Sequence, residues 1–137
     1  MKPFLALLAG LLLLVAPTPA LAQSDSGGTF TLAEGGRTRY QIVAAPEAGG
    51  IEAHAAETLA GYLEEMTGVE FPIVAPEDRD AERPAIFIGL SGAAREELPV
   101  DDPLASLADE EHVVRSIGPD VFLYGQGHRA SLYATME

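Results

Sequence analysis

Glu64 and Glu65 are the first residues whose type invites a catalytic reading, because two carboxylates can divide general acid and base work between them. Their spacing argues against it. Neighbours on a helix project about 100° apart, so these two side chains cannot flank one scissile bond and read as a solvated helix face. Ser91, in Gly89-Leu90-Ser91-Gly92, superficially resembles a nucleophile turn. The nucleophile elbow places glycines two residues before and two after its serine, with an acid and a histidine downstream. Here the second glycine follows Ser91 directly, and no spacing ties His112 or His128 to it, so Ser91 is read as a helix cap. His54, His112 and His128 form no local pair of the His-Glu-x-x-His kind and read as scattered surface histidines.

Glu77-Asp78-Arg79-Asp80 has the charge of a calcium loop but lacks its alternating ligands, central glycine and terminal glutamate. Gly125-Gln126-Gly127 ahead of a helix could hold an anion on backbone N–H groups, with Arg129 adding charge. Without a third glycine the motif is weak, and the favoured reading is a turn that lets strand meet helix. Arg129 then acts structurally, against an acid in the sheet. The residues thus assign no catalytic, cofactor-binding or metal-ligating position, and no cofactor.

The elements that would position any site are clearer. Ile51, Ala55, Leu59, Leu63 and Met66 recur at spacings of three and four with Tyr62 beside them, while Glu52, Glu57, Glu64 and Glu65 take the other side. That period predicts a one-face-buried helix over about residues 51–67, stopped by Gly68 and followed by a strand at 71–74. A strand at 40–43 precedes it, so the three form a β-α-β unit with parallel strands. A further short strand is expected at 29–32, separated from 40–43 by the turn Glu34-Gly35-Gly36.

Ala85-Ile86-Phe87-Ile88-Gly89 is an unbroken apolar run and predicts a central strand covered on both faces. A short helix follows to about Leu98. Residues 111–117 and 121–124, joined by Gly118-Pro119-Asp120, predict an antiparallel hairpin, which makes the sheet mixed. The last segment predicts a loop opening a second long helix, whose stripe of Leu132, Tyr133 and Met136 has no stop signal before Glu137. The expectation is a chain that ends inside an element, as a fragment of something longer would.

Lys2, an apolar run from Phe4 to Val15, a Pro-Thr-Pro break and Ala20-Leu21-Ala22 follow the plan of a secretory signal peptide. The run is shorter than the roughly 20 residues of a membrane span. The expected organisation is therefore a signal peptide at 1–22, a flexible leader at 23–28 and one domain at 29–137, exported to the periplasm or the exterior. The chain of 137 residues has no cysteine, so no disulfide braces it. Its net charge of -13 argues against nucleic acid and against anionic membrane surfaces as partners.

One family combines these features. The helix Ala55 to Gly68 followed by Phe71-Pro72-Ile73, then Ile86-Phe87-Ile88-Gly89, Glu111-His112-Val113-Val114-Arg115, Val121-Phe122-Leu123-Tyr124-Gly125 and the closing Arg129 to Glu137 resembles the small N-terminal domain of certain bacterial glycoside hydrolases. It is similar to the domain that precedes the catalytic barrel in α-glucuronidases and β-hexosaminidases, and to the start of large exported bacterial proteins of uncharacterised function. The resemblance implies an α+β fold: a mixed β-sheet with helices packed on one face, built around the β-α-β crossover. It implies a non-catalytic accessory domain whose partner is a C-terminal barrel of the same protein, with the acid and base carboxylates in that barrel and a glycosidase as the full-length parent. Where the family has glycine after the arginine, this chain has Ala130. The alternative, of a different class, is a free-standing exported module that binds glycan or protein.

Overall fold

The computed structural model describes residues 29–45, 50–90, 92–99, 102–127 and 129–137. The expected signal peptide and leader, Ser91 and His128 lie outside the described residues. Strands β1 (Gln41–Ala44), β2 (Ile73–Val74), β3 (Ala85–Ile88), β4 (His112–Ile117) and β5 (Asp120–Gly125) form one sheet in the order β2-β1-β3-β5-β4. β1 pairs in parallel with β2 and β3, and β3 with β5, whereas β4 runs antiparallel to β5. With helices α1 (Ile51–Thr67), α2 (Gly92–Glu97) and α3 (Ala130–Ala134), the described residues make an α+β fold on a mixed five-stranded sheet. The β-α-β unit and the hairpin stand where the sequence places them. β3 is the middle strand and is buried along its whole length, as its unbroken apolarity demands.

Alternation along the strands sorts the core into two layers. Ile42, Ile86, Ile88 and Leu123 face α1 and α3. Val43, Phe87, Phe122 and Tyr124 face the other way, where Ala94 of α2 and partly buried Leu98 and Leu104 cover them. The expectation of helices on one face is therefore corrected: α1 and α3 share a face and α2 lies on the opposite one. The physical reason is β3 itself, since a strand apolar on both sides needs cover on both.

α1 ends at Gly68, in the left-handed conformation (φ 70°), whose N–H donates to Glu64 O at 2.7 Å. Its buried row differs from the expected one. Ala55, Ala56 and Leu63 are buried, but Tyr62 is 55% and Met66 79% exposed. Residues 52, 56, 59 and 63 follow a helical row, which puts Glu52 in line with the core-facing side chains and Tyr62 about a quarter-turn away. Glu52, expected on the wet side, is half-buried.

The expected strand at 29–32 does not form. Gly35 and Gly36, both at positive φ, make a two-residue turn closed by Glu34 N–H to Arg37 O (2.9 Å) and Arg37 N–H to Glu34 O (3.1 Å). One bridge is the whole ladder of this arm. The arm is held by side chains instead: Thr38 Oγ1 donates to Leu32 O (2.6 Å), and Leu32 packs on the α1 layer.

α3 is five residues long, shorter than the expected helix, and closes with Thr135 N–H on Leu132 O and Met136 N–H on Tyr133 O. Of the stripe, Leu132 packs against the core beside Ala134, while Tyr133 and Met136 stay exposed.

Candidate functional site

β1, β3 and β5 are parallel, so all their amino ends point the same way. The residues immediately before them, Tyr40, Pro84 and Pro119, are brought together there with the arm folded over them. The result is a cleft of about 450 Å³ lined by Leu32, Glu34, Arg37, Arg39, Tyr40, Pro84 and Pro119. A second cleft of about 200 Å³ shares Arg39, Pro84 and Pro119 with it and adds Arg79 and Arg83. A third of about 540 Å³ runs along Phe30, Tyr40 and Pro119. Tyr40 divides the floor, and its hydroxyl donates to Pro119 O at 2.9 Å. Burial, and then the charge of Asp120, raise the Tyr40 phenol above its usual range, so it stays a neutral donor.

Charge is unevenly placed around this end of the sheet. The chain has eight basic residues, and Arg37, Arg39, Arg79 and Arg83 all line these clefts. Two of them have structural partners. Arg79 stacks on the Phe87 ring (4.7 Å to its centroid) and pairs with Asp120 (3.3 Å) and Glu97. Arg83 donates to the carbonyls of Arg39 (3.0 Å) and Tyr40 (3.2 Å). Arg37 and Arg39 are exposed and make no ion pair among the described residues. The arrangement can neutralise an anion against an apolar floor.

The opposite ends of the strands are where open parallel sheets usually hold ligands. Here that space is partly filled from within. Gly89, at φ 75°, ends β3, and a side chain on it would lie 1.8 Å from Glu52 Oε1. Burial raises the Glu52 carboxyl above its ordinary range.

The sequence candidates fall as follows. Glu64 and Glu65 are exposed on α1, as expected of a solvated face. His54 is exposed on α1, while His112 sits on β4 beside Tyr133 (rings 6.3 Å apart) and 3.7 Å from Glu137. No group of three His, Asp or Glu is placed to hold a metal among the described residues. Pro76–Asp78 is a 3-10 turn, and its neighbour Arg79 belongs to the ion pairs above. Gly125 and Gly127 serve packing: a side chain on Gly125 would meet Glu111 O at 2.2 Å, and one on Gly127 would meet Asp109 Oδ1 at 2.3 Å. Arg129 is exposed; Tyr133, by hydrogen bonding and then by charge, and Glu110 after it raise its pKa. No ion pair of Arg129 with an acid of the sheet is found among the described residues.

Two groups escaped sequence reasoning. One is the arginine pair, for which Arg37-Thr38-Arg39 in so acidic a chain was a usable signal. The other is Asp102, whose Oδ2 receives Arg115 Nη1 (3.0 Å) and the Tyr124 hydroxyl while Oδ1 caps Leu104 N–H (2.9 Å). Nothing in the spacing of those four residues announces their meeting. No protein-family model matches the chain, and no curated protein matches it. No described helix is long and apolar enough to cross a membrane.

Proposed function

We propose that this chain is a non-catalytic N-terminal accessory domain of an exported glycoside hydrolase-like protein, of α-glucuronidase or β-hexosaminidase type, acting in polysaccharide or glycoconjugate breakdown. The observation that supports it is the apolar surface left open where α3 meets β4. Val114, Tyr133 and Met136 are exposed there, Val114 by 54%. Val114 shares its face of β4 with His112, against which Tyr133 rests. Large apolar side chains grouped on a small exported domain suit a docking face, and in this reading the occupant is the catalytic barrel of the same protein.

The genomic DNA beyond the codon for Glu137 tests this. An in-frame barrel-coding continuation is expected; a stop codon with no such frame nearby defeats the reading. The purified segment should turn over none of a panel of aryl glycosides, and turnover of any would make it an enzyme in its own right.

A second reading, a free-standing exported module that binds glycan or protein, draws on the clefts at the amino ends of the strands. Retention of the purified segment on insoluble polysaccharide would favour it.

A further inference from the structure

Arg37 and Arg39 have no structural task that would explain them. Neither is paired with a carboxylate among the described residues, and neither side chain is needed by the arm, which is tied by its backbone bridge, Thr38 and Tyr40. Both line one cleft of about 450 Å³ whose floor is apolar: Leu32, the Tyr40 ring, Pro84 and Pro119. The floor is also firm, because Tyr40 is hydrogen-bonded to Pro119 O and Arg83 clamps the carbonyls of Arg39 and Tyr40. Guanidinium forks match carboxylate and phosphate oxygens, and two of them line this one cleft.

We propose that the cleft at the amino ends of β1, β3 and β5 binds a small organic anion, its carboxylate or phosphate held by Arg37 and Arg39 and its apolar body laid on Tyr40, Pro84 and Pro119. Glu34 lines the same cleft and is bridged through its backbone to Arg37, so a bound anion must lie on the arginines away from that carboxylate. The site owes nothing to the docking face at α3 and β4, so it stands or falls apart from the accessory-domain reading.

The test is amide NMR of the intact chain titrated with benzoate and with phenyl phosphate, which separate the two anion types. Benzyl alcohol removes the charge, and inorganic phosphate removes the apolar body. Saturable shifts clustered at Arg37, Arg39, Tyr40 and the residues following Pro84 and Pro119 are expected with at least one of the aromatic anions. Benzyl alcohol should give none, and inorganic phosphate weaker ones. The double variant Arg37→Gln/Arg39→Gln should weaken binding by about tenfold or more. It should melt where the parent melts, since the bond from Arg83 falls on the backbone of Arg39 and survives the change. Raising salt from about 0.05 to 0.5 M should weaken binding of the parent chain. Shifts that never saturate, that scatter over the surface, or that persist unchanged in the double variant overturn the proposal.

Discussion

The two faces of the sheet are closed by different means. On one, α1 and α3 lay Ala55, Ala56, Leu63 and Ala134 on Ile42, Ile86, Ile88 and Leu123, and the layer is apolar almost throughout. On the other, one short helix and two stretches of loop cover Phe87, Phe122 and Tyr124, and buried polar groups fasten them. Gln41 holds Asp80 and Arg83 through their backbone, Asp120 takes Ala85 N–H and Arg79, and Asp102 takes Leu104 N–H, Arg115 and Tyr124. The difference follows from what each cover brings. A helix satisfies its own backbone, so apolar side chains are enough to seat it. A loop arrives with unpaired N–H and C=O groups, and each one taken from water needs a partner.

Perturbing each layer sharpens that contrast, and the largest effect is expected in the second layer, at Phe87. Phe87 stacks on Phe122 at 4.7 Å and carries Arg79 on its other side, so Phe87→Ala should cost about 3–5 kcal/mol in denaturant unfolding. Asp120, a buried residue, gives Arg79 one of its two carboxylate partners and Ala85 N–H its acceptor, so Asp120→Ala weakens the hold on Arg79 and strands Ala85 N–H. A loss of about 3 kcal/mol is expected, and Asp120→Asn, which keeps an acceptor for Ala85, should lose less. If the two variants lose the same amount, the hydrogen bond to the backbone is not what holds the loop.

Smaller effects probe the titrating groups. Burial first, and then the hydrogen bond to Asp102, push the Tyr124 phenol up to about 12. Its folded pKa exceeds its ordinary 10.0, so its contribution is complete below pH 10 and is lost as pH rises through about 12. Tyr124→Phe should therefore lower stability by about 1–2 kcal/mol at neutral pH and remove that alkaline loss, which pH-dependent melting would detect. Glu52 is the polar exception on the apolar face, its pKa raised by burial. A raised carboxyl favours the fold below its ordinary pKa and opposes it once ionised, so Glu52→Gln should raise Tm at pH 7 and leave it unchanged in acid. Met66→Ser, by contrast, should move Tm hardly at all, since Met66 is outside both layers.

The same contrast decides what the sequence could disclose. Periodicity reports apolar burial, and so α1, the middle strand and the hairpin can be read directly from residues 51–67, 85–88 and 112–125. On α1 the charge of Glu52 points to the wet side, whereas its spacing from residues 56, 59 and 63 puts it inward. The fastening of the second face leaves no period, because Gln41, Asp102 and Asp120 meet partners far away in the chain. The cleft is hidden for the same reason, being assembled from Tyr40, Pro84 and Pro119, which only the parallel register makes neighbours.

The hydrogen bond from Tyr40 to Pro119 joins residues 79 positions apart. The β4–β5 hairpin can close locally, whereas β1 must find β3, and β3 must find β5, across long intervening segments whose closure costs chain entropy. The arm has almost no ladder of its own and docks on a surface that those three strands must first create. It is therefore expected to lock last during folding and to release first on unfolding, a latch set by topology. Proteolysis within residues 29–39 should report that release before the sheet opens.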